Sequence, residues 1–262
     1  TTARVQGWDE SRGNGTPLGT NRSRALDLSA RLDRRTTEDE WAMENILFHQ
    51  ERRFASTFTA IAPDRSAETL TLDQHNVPSR STGLIQRIRL PLGDAHQLGT
   101  GWDTRLISGT THEHFFFQNS NPLRERNAGG RQWQTGLFLV DTLRLEKWTF
   151  ESGARLDRMN QFRGRLLETN RSDGSIIKDE RYANATDVRP SYRLGARWQA
   201  TPSWVWRIDG YTSFRFPTLN ELYRPFRVGS VTTSANPALG PEEIRGISTS
   251  SSYTLSSATH LH

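Results

Sequence analysis

The chain has no cysteine among its 262 residues. That excludes a disulfide framework and a thiolate metal site. No run of about 18–20 apolar residues occurs, which excludes a protein that crosses a membrane with helices. Charge of one sign is also lacking: 34 Lys and Arg against 29 Asp and Glu leave +5. The pI near 10.0 draws attention to nucleic acid, but so small an excess over this length does not make a basic surface. No nucleic-acid partner is expected. Apolar residues are scarce too, at 34% with a mean hydropathy of −0.71, which is little for a two-layer core. Aromatic residues are plentiful, with 8 Trp, 12 Phe and 5 Tyr, so global disorder is not expected. Low hydropathy with many Trp and Phe is the feature to explain.

The dominant pattern has period two. Leu26, Leu28, Ala30 and Leu32 alternate with Asp27, Ser29, Arg31 and Asp33. Leu98, Thr100, Trp102, Thr104 and Leu106 alternate with Gly99, Gly101, Asp103 and Arg105. Phe150 to Leu156, Leu194 to Ala200 and Trp204 to Phe214 repeat the pattern. Each is a strand with one apolar and one charged face. About ten strands are predicted, near 1–9, 22–34, 39–50, 82–91, 95–109, 130–142, 147–158, 187–200, 203–216 and 242–256. Residues 41–50 and 134–142 carry apolar side chains on both faces.

The connections alternate in length. Long segments are predicted at 10–21, 51–81, 110–129, 159–186 and 217–241, and tight turns near 35–38, 93–95, 143–146 and 201–202. An up-and-down sheet with its long loops at one end has this rhythm, as transmembrane β-barrels do. The strands exceed the about 9–11 residues a tilted strand needs to cross the hydrocarbon. Trp148, Trp198, Trp204 and Trp206 sit beside the short turns, where an aromatic girdle belongs. Arg155, Arg193, Arg197, Arg207, Arg215, Glu151, Asp157 and Asp209 then face a polar lumen. In a small soluble barrel they would be buried at a cost of several kcal/mol each.

One segment reads Phe214-Arg215-Phe216-Pro217-Thr218-Leu219-Asn220-Glu221-Leu222-Tyr223-Arg224, and a second reads Asn236-Pro237-Ala238-Leu239-Gly240-Pro241-Glu242. Together they resemble TonB-dependent outer-membrane receptors, whose barrels carry a Phe-Arg-Ala-Pro-Thr-Leu-x-Glu-Leu-Tyr segment and then Asn-Pro-x-Leu-x-Pro-Glu opening the next strand. Here Phe216 replaces the usual Ala. Glu10 to Leu18 also resembles a first-loop pattern of related receptors. Read on its own chemistry, Pro217 stops a strand, Thr218 and Glu221 have capping-box spacing for a helical turn, and Asn236-Pro237 starts a turn.

The resemblance implies an all-β, antiparallel, up-and-down transmembrane barrel, with residues 1–262 supplying about ten of roughly 22 strands. It implies a plug domain and further strands absent from this chain. That agrees with a chain that begins at Thr1 without a signal-peptide pattern and stops at His262 within a polar alternating stretch; both ends are expected to be cuts. The implied function is capture of a scarce nutrient, such as a ferric siderophore, haem or cobalamin, by extracellular loops, followed by import with energy transmitted by TonB. The implied partners are the TonB complex, acting through the plug, and the extracellular ligand, with outer-membrane lipid and lipopolysaccharide around the barrel. The implied location is the bacterial outer membrane.

Ligand contact is expected in the 217–241 loop, at Arg215, Tyr223, Arg224, Arg227 and Asn236, whose arginines favour anionic ligands. His112 and His114 share one strand face and offer a possible pair of metal or haem ligands, although no His lies between Pro217 and Asn236, where haem receptors of the family have one. No catalytic constellation is present and no enzyme activity or cofactor is expected. Two other classes fit parts of the pattern: a passive or adhesive outer-membrane barrel, and a soluble all-β glycan-binding or surface domain.

Overall fold

The computed structural model describes residues 1–35, 41–228, 231–256 and 259–261. Strands dominate: β1 (Thr2–Gly13), β2 (Thr20–Arg35), β3 (Ala42–Ile61), β4 (Glu68–Leu92), β5 (His96–Gln118), β6 (Asn121–Leu145) and β7 (Trp148–Asn170). There follow β8 (Ile176–Arg181), β9 (Ala185–Thr201), β10 (Trp204–Arg215), a short helix α1 (Leu219–Tyr223), β11 (Phe226–Val228), β12 (Val231–Thr233), β13 (Glu242–Ser256) and β14 (Thr259–Leu261). One 12-stranded sheet holds all but β11 and β12, which form their own hairpin. Neighbours in sequence are neighbours in the sheet and pair antiparallel, the up-and-down order that the connection lengths predict. The lower part of β7 pairs with β9 and its upper part with β8. Among the described residues β1 and β14 are unpaired edges, so the sheet is open.

The ten predicted strands are present, but three predicted loops are mostly strand. Residues 51–81, 110–129 and 159–186 continue the ladders, so β4 and β6 run 25 residues each and β5 and β7 run 23. Since a crossing needs about 9–11 residues, more than half of each strand lies beyond what the hydrocarbon requires. The reason is that a ladder is held by backbone hydrogen bonds, which need no apolar side chains. Tight turns end these extensions. Asn119 (φ 48°) and Ser120 (φ 64°) close β5–β6 in two residues, the left-handed pair that suits the twist of a hairpin. The first predicted loop shrinks to residues 14–19. The turn predicted at 35–38 lies outside the described residues except for Arg35, which ends β2.

The register sorts side chains onto two faces. On the apolar face Leu137 is 64% exposed, Leu194 67% and Ile247 82%, among many others. Soluble monomers seldom expose so many large apolar side chains together. No helix among the described residues is long and apolar enough to cross a membrane, which says nothing of a crossing made by strands. Trp148 stacks on Trp198 at 5.6 Å and Trp204 leans on Trp206 at 5.5 Å. All four lie next to the turns at 146–147 and 202–203, as the girdle predicts.

The opposite face is bridged by ions. Arg52 holds Asp27 at 2.7 Å across β2–β3, and Glu44 accepts from both Arg31 and Arg87. Arg155 spans Asp103 and Asp157, and Arg193 and Arg207 share Glu151 and Asp209. Each partly exposed pair contributes at most about 1 kcal/mol. Their main effect is to keep a charged wall satisfied. The two segments with apolar residues on both faces are explained here. Phe48 and Phe138 point to the charged face and fill the space over Gly83 and Gly101 on the adjacent strands.

Candidate functional site

The segment after β10 turns back onto the charged face and packs over β5, β6 and β7. Its start is set by a capping box. The Thr218 hydroxyl accepts from the Glu221 N–H, and the Glu221 carboxylate accepts from the Thr218 N–H at 2.7 Å, as the spacing predicts. Glu221 also accepts two hydrogen bonds from Arg215, at 2.9 and 3.0 Å, and the Arg215 Nε donates to Glu242 at 2.9 Å. One guanidinium thus ties the end of β10 to α1 and to the start of β13.

Arg215, with Thr218 beside it, holds the Glu221 carboxyl at a pKa of about 2, below its ordinary 4.5. Because the folded pKa is depressed, the stabilisation is complete above about 4.5 and is lost as pH falls towards about 2. Pepsin cleavage within 217–241 of the intact receptor is therefore expected to rise across that window. Glu221→Gln should remove most of this pH dependence; an unchanged profile would count against the cap.

The helical turn then delivers two side chains to the sheet. Leu222 and Tyr223 are 0% and 1% exposed. Tyr223 lies flat over Gly130 and Gly164, where an added Cβ would come within 2.7 and 2.4 Å of its ring. The ring also stacks on Tyr182, with centroids 5.4 Å apart. Gln132 donates to the Pro217 carbonyl at 2.7 Å and Thr111 reaches Asn220 at 3.2 Å.

Arg224 ends the turn and donates twice to Glu113, at 2.7 and 2.9 Å. Glu113 is 0% exposed. Its other oxygen accepts from Arg126 at 2.7 Å, and Arg126 continues to Glu168 at 2.7 Å and to the Pro225 carbonyl at 3.1 Å. The Arg126 guanidinium also covers the Phe115 ring at 4.1 Å. The result is a buried Arg–Glu–Arg–Glu chain that clamps the loop onto β5, β6 and β7.

The residues expected at a ligand are thus placed as follows. Arg215 is exposed but doubly ion-paired, Tyr223 is covered, and Arg224 is held by Glu113. Asn236 is exposed and its side chain accepts from the Ala238 N–H at 3.1 Å, with Leu239 N–H on its carbonyl, so it shapes the predicted turn. Arg227 belongs to β11, and its side chain lies outside the described residues. Pro237, Leu239 and Pro241 carry that turn to Glu242, where β13 begins.

His112 and His114 lie on the other face of β5 from Glu113. His75 of β4 stacks on His114 with centroids 4.3 Å apart, His112 bonds to Asn127, and His114 contacts Arg171 and lies 3.7 Å from Asp73. Burial first, then Arg171 and His75, hold the His114 pKa below its ordinary value, so the ring is neutral at pH 7. Among the described residues no group of three or more His, Asp or Glu is arranged to hold a metal ion. The sequence Thr111-His112-Glu113-His114 draws the eye to its histidines, yet the glutamate between them carries the loop contact. Strand parity places Glu113 on the charged face; nothing local indicates that Arg126, Glu168 and Arg224 converge on it.

The family model for the TonB dependent receptor-like β-barrel matches residues 2–258. No curated protein sequence matches the chain. Its fold matches the crystal structure of the ferric yersiniabactin uptake receptor FyuA from Yersinia pestis, at TM-score 0.64 and 14% identity over 92% of this chain and 35% of that one. It also matches the ferric citrate transporter FecA in its unliganded form (TM-score 0.66, 14% identity, 96% of this chain and 38% of that one). A third similar structure is the copper transporter OprC, at TM-score 0.67 and 16% identity over 90% and 37%. The chain spans little more than a third of the length of these structures.

Proposed function

We propose that this chain, which belongs to the TonB-dependent receptor β-barrel family, is part of the wall and outer rim of an outer-membrane receptor that captures a scarce nutrient and imports it with energy from TonB. The family match over residues 2–258 carries this reading. The two faces support it. The apolar face meets lipid, and the ion-paired face lines a water-filled or plugged lumen. A plug domain and the remaining strands complete the barrel in the intact protein, and the TonB complex acts through that plug.

Ferric chelates are the ligand class we favour, since FyuA and FecA are receptors of that kind by name. The 217–241 loop supplies the rim of the ligand chamber. Within it we assign Tyr223 and Arg224 to holding the loop, and Arg215 and Asn236 to the surface a ligand would meet; Arg227 is assigned to ligand contact on its sequence position alone. The extended strands β4 to β7 raise that chamber above the membrane.

The test is growth of the source bacterium under iron limitation on single ferric siderophores, with haem and cobalamin as parallel nutrients. Loss of the parent gene should abolish use of one of them, and an intact copy should restore it only when TonB is present. Uptake that persists without TonB would refute active transport and leave a passive barrel.

A further inference from the structure

We propose that the apolar face of β3 and β4 is the contact surface for a second copy of this receptor within the membrane, joined through the side-chain amides of Asn45 and Gln86. The inference rests on the outer-membrane reading above and adds to it a partner.

One row of paired residues crosses the sheet on the apolar face: Leu32, Asn45, Gln86, Trp102, Leu137 and Leu156. Leu32, Leu137 and Leu156 are exposed apolar side chains, which fixes the face. Between them stand two amides and an indole. Gln86 is central in the apolar span of β4. Its neighbours of the same parity are Leu90, Ile88 and Leu84, and it lies midway between Leu92 at the turn and Arg80, the first charge above. On β9 the same face carries Tyr192, Leu194, Ala196 and Trp198, with no amide.

Hydrocarbon offers no hydrogen bond, so an unmet polar group there is costly. The row meets part of its own need. The Trp102 indole N–H donates to the Gln86 carbonyl at 3.1 Å. The Gln86 amide donates to the Asn45 carbonyl at 3.0 Å and lies 3.9 Å from the Met43 sulfur. The chain of bonds stops at Asn45, which is partly exposed and whose own N–H groups donate to nothing among the described residues. The threonines of the same face are closed by contrast. Thr100 donates to the Phe138 carbonyl, and Thr104 donates to the Gln134 carbonyl while accepting from Trp133.

Lipid tails cannot accept from Asn45, but a second copy can. An amide is both donor and acceptor, so a face built on Asn45 and Gln86 is complementary to itself. A two-fold axis along the membrane normal keeps the outer rims of both protomers on one side and makes the contact isologous. Each Asn45 then donates to an amide carbonyl across the axis, the kind of bond that joins neighbouring segments in membranes. Above the apolar span, Glu51 and Arg80 pair with each other at 2.9 Å, so two such faces meet there without stranding either charge.

The experiment uses the intact receptor with a nitroxide at one added cysteine, since these 262 residues contribute none; any cysteine in the rest of the receptor is replaced by serine. The label sits at Leu47→Cys, next to the amides on β3, or at Leu194→Cys, four strands round the wall from β4 and about 20 Å away. Labelled protein is reconstituted into phosphatidylcholine vesicles at increasing dilution, and dipolar electron resonance reads the distances between copies. Labels at Leu47 should give one short distance that survives dilution, and labels at Leu194 a longer one. Asn45→Leu with Gln86→Leu, which leaves the face wholly apolar there, should weaken association about tenfold, equivalent to about 1.4 kcal/mol. Thr100→Val, whose hydroxyl is bonded within the sheet, should leave association unchanged. The absence of a short distance at Leu47, or equal distances from both labels, overturns the contact. So does unchanged association in the double variant. Insertion is scored separately: failure to enter the vesicles overturns the outer-membrane reading and the contact with it, whereas insertion as a monomer overturns only the contact.

Discussion

Replacing Glu113 by alanine in the intact receptor is expected to destabilise it by about 3–5 kcal/mol, the usual cost of breaking a buried ion pair. Glu113 is fully buried and is the shared acceptor of Arg126 and Arg224, whose side chains are 12% and 14% exposed. Without it, Arg126 keeps Glu168 and the Pro225 carbonyl. Among the described residues Arg224 has no other hydrogen-bond acceptor, so its guanidinium would be left nearly dry and unpaired. The damage should therefore concentrate in the segment that Arg224 anchors. Denaturant unfolding in lipid vesicles measures the whole effect, and protease cutting within 217–241 measures the local one. Arg224→Ala should cost less, because Glu113 then still has Arg126. Replacing Glu113 by Leu and Arg224 by Met together should cost less than Glu113→Ala alone, since neither charge is stranded between those two positions. A Glu113→Ala protein within about 1 kcal/mol of wild type, with unchanged cutting, would show that the clamp does not hold the loop.

Much of this architecture was legible because a lipid-facing strand must show alternate apolar residues, and that requirement marks the sequence. Leu26 to Leu32 and Trp204 to Phe214 are strands on that ground alone. The signal ends where lipid ends. Residues 110–118 of β5 alternate Thr110, His112 and His114 on one face with Thr111, Glu113 and Phe115 on the other, which shows no hydrophobic period. The ladder continues regardless, because backbone groups pair whatever the side chains are. The capping box of Thr218 and Glu221 was readable because its partners are three residues apart. The clamp was not: Arg224 and Glu113 are 111 positions apart, and only the strand order brings them together. Tyr223 is the same kind of case. A motif tyrosine next to Arg224 and close to Arg227 reads as a ligand contact, but the two glycines that make room for its ring lie on other strands.

Those glycines lead to the second large effect. Gly164→Val is expected to expel the Tyr223 ring, because the first added carbon would sit 2.4 Å from Cε1 and 2.6 Å from Cζ. Tyr182 stacks on the ring at 5.4 Å, and a Cβ on Gly130 would already stand 2.7 Å from it, so the ring is closely packed. Expelling a buried aromatic costs what deleting it does, about 3–5 kcal/mol. Tyr223→Ala should cost a similar amount, and Tyr223→Phe little, since the Tyr223 hydroxyl makes no hydrogen bond among the described residues. The two large losses should not add. Once Tyr223 is alanine, Gly164→Val meets open space and should cost less than about 1 kcal/mol, leaving a coupling of about 2 kcal/mol or more in a double-mutant cycle. Unfolding of the intact receptor in lipid vesicles gives the four values. Additive losses would mean that Tyr223 does not pack on Gly164. A strong coupling would establish that the motif tyrosine acts as the peg that seats the rim loop against the barrel wall.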